Sequence, residues 1–175
     1  MFLKLDSEIS LNKEKDIIVD ENADPGDRVA IARSPYNLKV GFTCGAFDLL
    51  HAGHVLMLKE AREQCDYLIV GVQSDPSIDR DSKNKPIQTY EERILMVRSI
   101  RYIDEVVLYN TENDLVNLIK KLAPDIRILG VDWEGKMYTG HGLTDEVYFN
   151  QRDHSWSTSE LRKRVYHAER LKLEI

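Results

Sequence analysis

The 175-residue chain is short of cysteine, of surplus positive charge and of long apolar runs. Two cysteines, Cys44 and Cys65, cannot build a disulfide framework and lack metal-site spacing, so small reduced thiols inside the fold are expected. With 24 basic against 30 acidic residues the net charge is −6, which speaks against broad attachment to nucleic acid or to an anionic membrane. No segment nears the roughly 20 apolar residues of a membrane span, and the opening "MFLKLDSEIS" has no sustained apolar stretch. A cytoplasmic protein with small-molecule partners is the expectation. Internal repeats and low-complexity tracts are also missing, and no shift in composition marks a second domain.

What remains, 42% hydrophobic and 31% charged, suits one well-buried core. Residues 1–37 mix charge with short apolar pieces such as "DIIVD", and Pro25 and Gly26 punctuate "ENADPGDR" as a turn. They read as an N-terminal appendage to a domain spanning 38–175. From Leu38 onward strand-like and helix-like segments alternate: "LKVGF", Val55 to Cys65, "YLIVGV", Glu91 to Arg101, "EVVLY", Leu115 to Leu122, "IRILG", "EVYFN" and Ser159 to Ala168. Short apolar runs alternating with helices predict an α/β domain, a Rossmann-like doubly wound parallel sheet covered on both faces. Such folds bind ligands beyond the carboxyl ends of their strands.

The stretch "GAFDLLHAGH" occupies that location. A strand feeds a turn, and a helix begins near His51, where free backbone N–H groups and the helix dipole favour an anion. His51 and His54 stand three apart and so share one helical face, placed to donate to phosphate oxygens. Gly53 permits close approach to the backbone. A metal pair is the alternative, without a third ligand at a recognisable spacing; two polar caps without a ligand are the plainer one. Further on, "STSE" carries a capping-box pattern, Ser157 with Glu160, that starts a second helix with Thr158 and Ser159 at its mouth. It reads as a simple cap or, with the first motif, as a second anion site.

These blocks resemble the cytidylyltransferases, nucleotidyltransferases with a G-x-F-D-x-x-H-x-G-H signature. "RYIDEVV" (101–107), "GVDWEGK" (130–136) and "RDHSWSTSELRKR" (152–164) are similar to further family blocks, the second to that of bacterial glycerol-3-phosphate cytidylyltransferases. The likeness runs from about Lys39 to about Ala168. It implies transfer of CMP from CTP to a phosphorylated alcohol, glycerol-3-phosphate foremost, giving CDP-glycerol and pyrophosphate. The same-fold alternatives are another acceptor (phosphoethanolamine, phosphocholine or a sugar phosphate), ATP as donor, or a nucleotide-binding module without turnover.

The resemblance also distributes roles. His51 and His54 act on the α-phosphate, with Arg152 and a loop lysine, Lys83 in preference to Lys85, as further phosphate ligands. Nucleotide contacts are implied at Thr43, Cys44, Gly45, Ala46 and Phe47, then at Gly53. The "GVDWEGK" block adds Gly130, Asp132 and Trp133 near the nucleoside, and the closing element adds Ser157, Thr158 and Ser159 on the β and γ phosphates. Arg93 and Asp48 are assigned to the acceptor, Asp48 being equally suited to a structural role. Mg²⁺ accompanies the triphosphate without a protein metal site, and a homodimer is expected. The chain departs from the pattern at Ala46, Val131, Asp153 and Trp156, all around the substrates rather than at the histidines.

Overall fold

The computed structural model describes residues 18–19, 29–30 and 38–173. In chain order its elements are β1 (Ile18–Val19), β2 (Val29–Ala30), β3 (Val40–Gly45), α1 (Ala52–Arg62), β4 (Tyr67–Gln73) and α2 (Tyr90–Arg98). There follow β5 (Glu105–Tyr109), α3 (Glu112–Leu122), β6 (Ile126–Gly130), β7 (Glu146–Asn150) and α4 (Thr158–Leu173). β1 and β2 pair with each other, antiparallel, apart from the main sheet. The turn expected at Pro25–Gly26 lies outside the described residues.

β3 to β7 form one all-parallel sheet in the order β5-β4-β3-β6-β7. The apolar run "YLIVGVQ" is buried at all seven positions of β4, as expected of an inner strand covered on both faces. From β3 the chain winds one way through β4 to β5. It then crosses back through α3 to start β6 on the other side of β3. The gap between the ends of β3 and β6 is therefore the topological switch point, where this architecture leaves a crevice.

Two apolar layers cover the sheet. On one face the stripe Leu115, Leu118, Ile119 and Leu122 of α3 packs on Phe42, Ile69 and Val107. On the other, Leu58 and Ala61 of α1 and Val97 of α2 pack on Leu68, Val70, Val72 and Ile128. Each fully buried Leu, Ile or Val contributes about 1.5–3 kcal/mol of transfer free energy. The sheet pattern follows the sequence expectation strand for strand, and α1 starts at Ala52, directly after His51 as expected, whereas α3 begins at Glu112 rather than Leu115. A capping box sets that start, Thr111 with Asp114, and its bonds carry no apolar period; Thr89 with Glu92 caps α2 in the same way. α4 runs on to Leu173 without burying a residue. Among the described residues no helix is long and apolar enough to cross a membrane.

Candidate active site

The turn after β3 holds two bulky residues in the left-handed region, Phe47 at φ 52° and Leu49 at φ 48°. Such backbone persists only where its surroundings fix it. Here Phe47 is buried, the Leu49 amide donates to Gln88 Oε1 at 2.6 Å, and the Asp48 carboxylate between them is clamped. Asp48 Oδ1 accepts the amides of Ile87 and Gln88 at 2.9 and 3.0 Å, and Oδ2 accepts Arg162 Nη2 at 2.7 Å. Burial pushes this carboxyl up, but those amides and Arg162 outweigh it and hold it below its ordinary value. Thr158 donates its hydroxyl to the Asp48 carbonyl at 3.2 Å. Asp48 thus docks the start of α4 against the turn that starts α1. Both carboxylate oxygens are engaged within the fold, which is the structural role that the sequence reading held open for Asp48.

The two histidines build the start of α1 from their rings. His51 is the N-cap: its Nδ1 accepts the Gly53 amide at 3.1 Å, and His54 Nδ1 faces the His51 amide at 3.4 Å, a capping box made of imidazoles. The rings stack with centroids 4.0 Å apart. An Nδ1 that accepts carries no proton, so this network assigns both rings the tautomer with the proton on Nε2. Burial pulls His54 down to about 4, with His51 adding to the effect. Burial also lowers His51, followed by His154, Arg152 and Arg164. Both are therefore neutral N–H donors at neutral pH in the unliganded protein. Thr158 Oγ1 lies 3.4 Å from His51 Nε2, and its hydroxyl proton goes to Asp48, so it accepts from His51.

A cavity of about 260 Å³ opens over this pair on the α1 face. His51, Gly53, His54, Gly130, Asp132, Arg152, Ser157 and Thr158 line it, all named by the sequence, together with Met57, Val131, Asn150, Gln151, His154 and Trp156. Gly53 has a sharper reason than ligand access: a Cβ there would sit 2.7 Å from His154 Cε1 and 2.9 Å from His51 Cε1. Ser157 accepts the Glu160 amide at 3.1 Å, one half of the expected capping box. Ser159 is exposed and outside the cavity lining. Arg152 reaches Asp132 at 3.4 Å in an exposed pair, which holds it at the rim and is worth little in stability.

A second cavity of about 250 Å³ lies on the opposite, α3-covered face, at the same strand ends. Cys44, Gly45, Ala46, Lys83 and Trp133 line it, which removes them from the His51 cavity in which the nucleoside was expected. The structure separates the two lysines: Lys83 reaches this cavity, whereas the Lys85 carbonyl accepts a bond from Arg162. Sequence reasoning missed its remaining polar wall, Gln73, Arg80, Glu112, Arg127 and Thr139. Arg80 pairs with Glu112 at 2.8 Å and reaches Gln73 Oε1 at 3.3 Å, while Thr139 bonds to Glu112.

Five expected contacts line neither cavity: Phe47, Asp48 and Ser159, described above, and Thr43 and Arg93. Thr43 is buried within β3. Arg93 is 1% exposed, and its guanidinium donates to the carbonyls of Ala46 and Gln73 at 2.6 and 2.7 Å, of Gln88 at 3.3 Å, and of Ser74. It staples the ends of β3 and β4 to α2, with four of its five N–H donors spent on backbone carbonyls.

The Cytidylyltransferase-like family model matches residues 42–165, which hold the imidazole cap, the switch point and the start of α4. The chain belongs to this family. Its relatives include the bifunctional protein HldE of Campylobacter curvus, 39% identical over 133 residues, covering 75% of this chain and 28% of that one. HldE of Wolinella succinogenes is 38% identical over 128 residues, covering 73% and 27%. The chain thus spans less than a third of these relatives' length. In fold it is similar to the pantoate-beta-alanine ligase of Francisella tularensis, solved with beta-gamma ATP and beta-alanine, at TM-score 0.50 and 17% identity over 71% of this chain and 65% of that one. Membership places the chain in a nucleotidyltransferase-like family with a Rossmann-like core, which supports a transferase.

Proposed function

We propose that the protein transfers a nucleotidyl group from ATP to a sugar phosphate, releasing pyrophosphate. The observation that carries this reading is the pair of cavities on opposite faces of one switch point. One is built around phosphate-seeking donors; the other is walled by Gln73, Arg80, Glu112 and Thr139, the donor and acceptor groups that read sugar hydroxyls. The kinship to HldE proteins favours this acceptor and donor over glycerol-3-phosphate and CTP. So does Val131, which with Met57 and Trp156 gives the first cavity an apolar side for a purine face. CTP with glycerol-3-phosphate is the second reading and rests on "RYIDEVV" and "DWEGK".

The reaction forms a bond between an acceptor phosphate oxygen and the α-phosphorus, and breaks the bond from that phosphorus to the bridging oxygen of pyrophosphate. The acceptor phosphate is ionised at neutral pH, so no strong base is needed. Catalysis rests on bringing two anions together and stabilising charge on the pentacoordinate phosphorus. On binding, the Nε2–H of His51 turns from Thr158 Oγ1 and, with that of His54, donates to the α-phosphate and bridging oxygen. Thr158 and Ser157, at the start of α4, hold the outer phosphates, aided by Arg152. Lys83 takes the acceptor phosphate. The donor arrives as its Mg²⁺ complex, held chiefly through phosphate oxygens and water. Two copies pair in solution, with the unburied α4 and its exposed Val165, Tyr166 and Leu171 as the available apolar surface.

A pyrophosphate-release screen of the four nucleoside triphosphates against sugar phosphates and phosphorylated alcohols tests the reading. ATP with a sugar phosphate is the expected pair. Release only with CTP and a phosphorylated alcohol would install the second reading, and no release with any pair would reject both.

A further inference from the structure

Arg127 is the second residue of β6, and β6 pairs it with Phe42 of β3. Its neighbours on that face belong to the apolar core under α3, yet this side chain is cationic and only 2% exposed. Its guanidinium carbon sits 4.6 Å from the centre of the Phe42 ring, and Nη2 reaches Cys44 Sγ at 3.1 Å. Nε and Nη1 are buried without a hydrogen-bond partner. Among the described residues Arg127 makes no ion pair with a carboxylate: Glu112, the acidic residue in this cavity's wall, pairs with Arg80 and bonds to Thr139. Buried charges in folded proteins are paired, because an uncompensated one is costly. Arg127 lines the second cavity, so its missing partner can enter from there.

We propose that Arg127 receives a second anionic group of the acceptor, a carboxylate or a second phosphate, apart from the phosphate that attacks the nucleotide. The attacking phosphate has to meet the α-phosphorus beside His51 and His54, which line the cavity on the other face of the sheet. Lys83 lines the same cavity as Arg127 and serves the attacking phosphate in the reading above. Arg127 then anchors the far end of the acceptor, and the planar guanidinium suits either a carboxylate or a phosphate. A neutral sugar monophosphate leaves this cation uncompensated. The proposal rests on the second cavity being the acceptor site.

Trp133 in the cavity wall supplies a binding signal independent of turnover. The wild-type protein is titrated with glucose-1-phosphate, glucuronic acid-1-phosphate and glucose-1,6-bisphosphate, by tryptophan fluorescence and by calorimetry. One or both doubly anionic probes should bind at least about tenfold tighter than glucose-1-phosphate, as a charge-assisted pair at a desolvated site requires. The carboxylate and bisphosphate arms tell which group is preferred. In Arg127→Met the ratio should fall to near one, and in Arg127→Lys part of it should return. Equal binding of all three probes by the wild type, no binding of any, or a ratio unmoved in a folded Arg127→Met protein would each overturn the proposal. So would an equal loss of all three probes in Arg127→Met, which would assign the guanidinium to the shared phosphate. Binding preference without pyrophosphate release would instead retain the anion site and reject the transfer reaction.

Discussion

The cavity on the α1 face draws most of its polar groups from two short stretches, residues 51–54 and 150–158, whereas the one on the α3 face gathers Cys44, Gln73, Lys83, Glu112, Arg127 and Trp133 from six separate places in the chain. The first is made from helix starts, and a helix start is a local object whose donors, cap and dipole all lie within one turn. The second is made from strand interiors and loops that meet only once the sheet has wound. In the proposed reading, phosphate capture is therefore encoded locally and acceptor choice by topology.

The sharpest way to break the comparison is at His54. Replacing it with alanine should lower kcat by about 10²–10³-fold while leaving nucleotide affinity within a few fold, since the donor acts mainly in the transition state. A folded variant with unchanged kcat would remove the imidazole cap from catalysis. Burial of the same ring also predicts acid sensitivity. The folded protein resists protonating His54 until about pH 4, whereas the unfolded chain protonates near 6.5. Its folded value is depressed, so stability is greatest above pH 6.5 and declines as pH falls toward 4, by about 3 kcal/mol in all. Urea midpoints between pH 7.5 and 4.5 should fall more steeply for the wild type than for His54→Gln, whose amide oxygen can still accept the His51 amide.

Smaller effects separate the two cavities. Thr158→Ala should weaken ATP, CTP and inorganic triphosphate alike, by about tenfold, because it removes the bond to the Asp48 carbonyl that seats the start of α4 against the histidine turn, without touching the base. A selective loss of one nucleotide would move the base to α4. Trp133→Ala should raise the acceptor KM by about fivefold, in the range of a lost aromatic contact, with nucleotide affinity unaltered. If it instead narrows the difference between ATP and CTP, the nucleoside reaches across the strand ends and the two cavities are one site.

Much of the first cavity was readable in advance for this local reason. The strand "LKVGF", the turn and the paired histidines announce a helix start in sequence order, and "STSE" announces another. Of the second cavity the sequence named Cys44, Gly45, Ala46, Lys83 and Trp133 without setting them apart from the histidines, and it passed over an arginine at a core-facing position of the apolar strand "IRILG", where period-two alternation calls for a hydrophobe. Arg93 and Asp48 were ambiguous for the opposite reason. Charged residues beside a phosphate motif suggest ligand contacts, but with no view of the surrounding carbonyls and amides a buried staple reads like a ligand arm.

By itself, the amino-acid sequence determined the α/β alternation, the five parallel strands and the anion-seeking start of α1, because propensity, capping and apolar period act over a few residues. Only the tertiary structure decided that the histidines cap their own helix and so present Nε2–H. It also decided that Trp133 and Lys83 lie across the sheet from the histidines, and that Arg127 waits unpaired under Phe42 and Cys44. Those facts depend on which strands lie side by side and on which face each side chain emerges, and the crossover from β5 through α3 to β6 sets both.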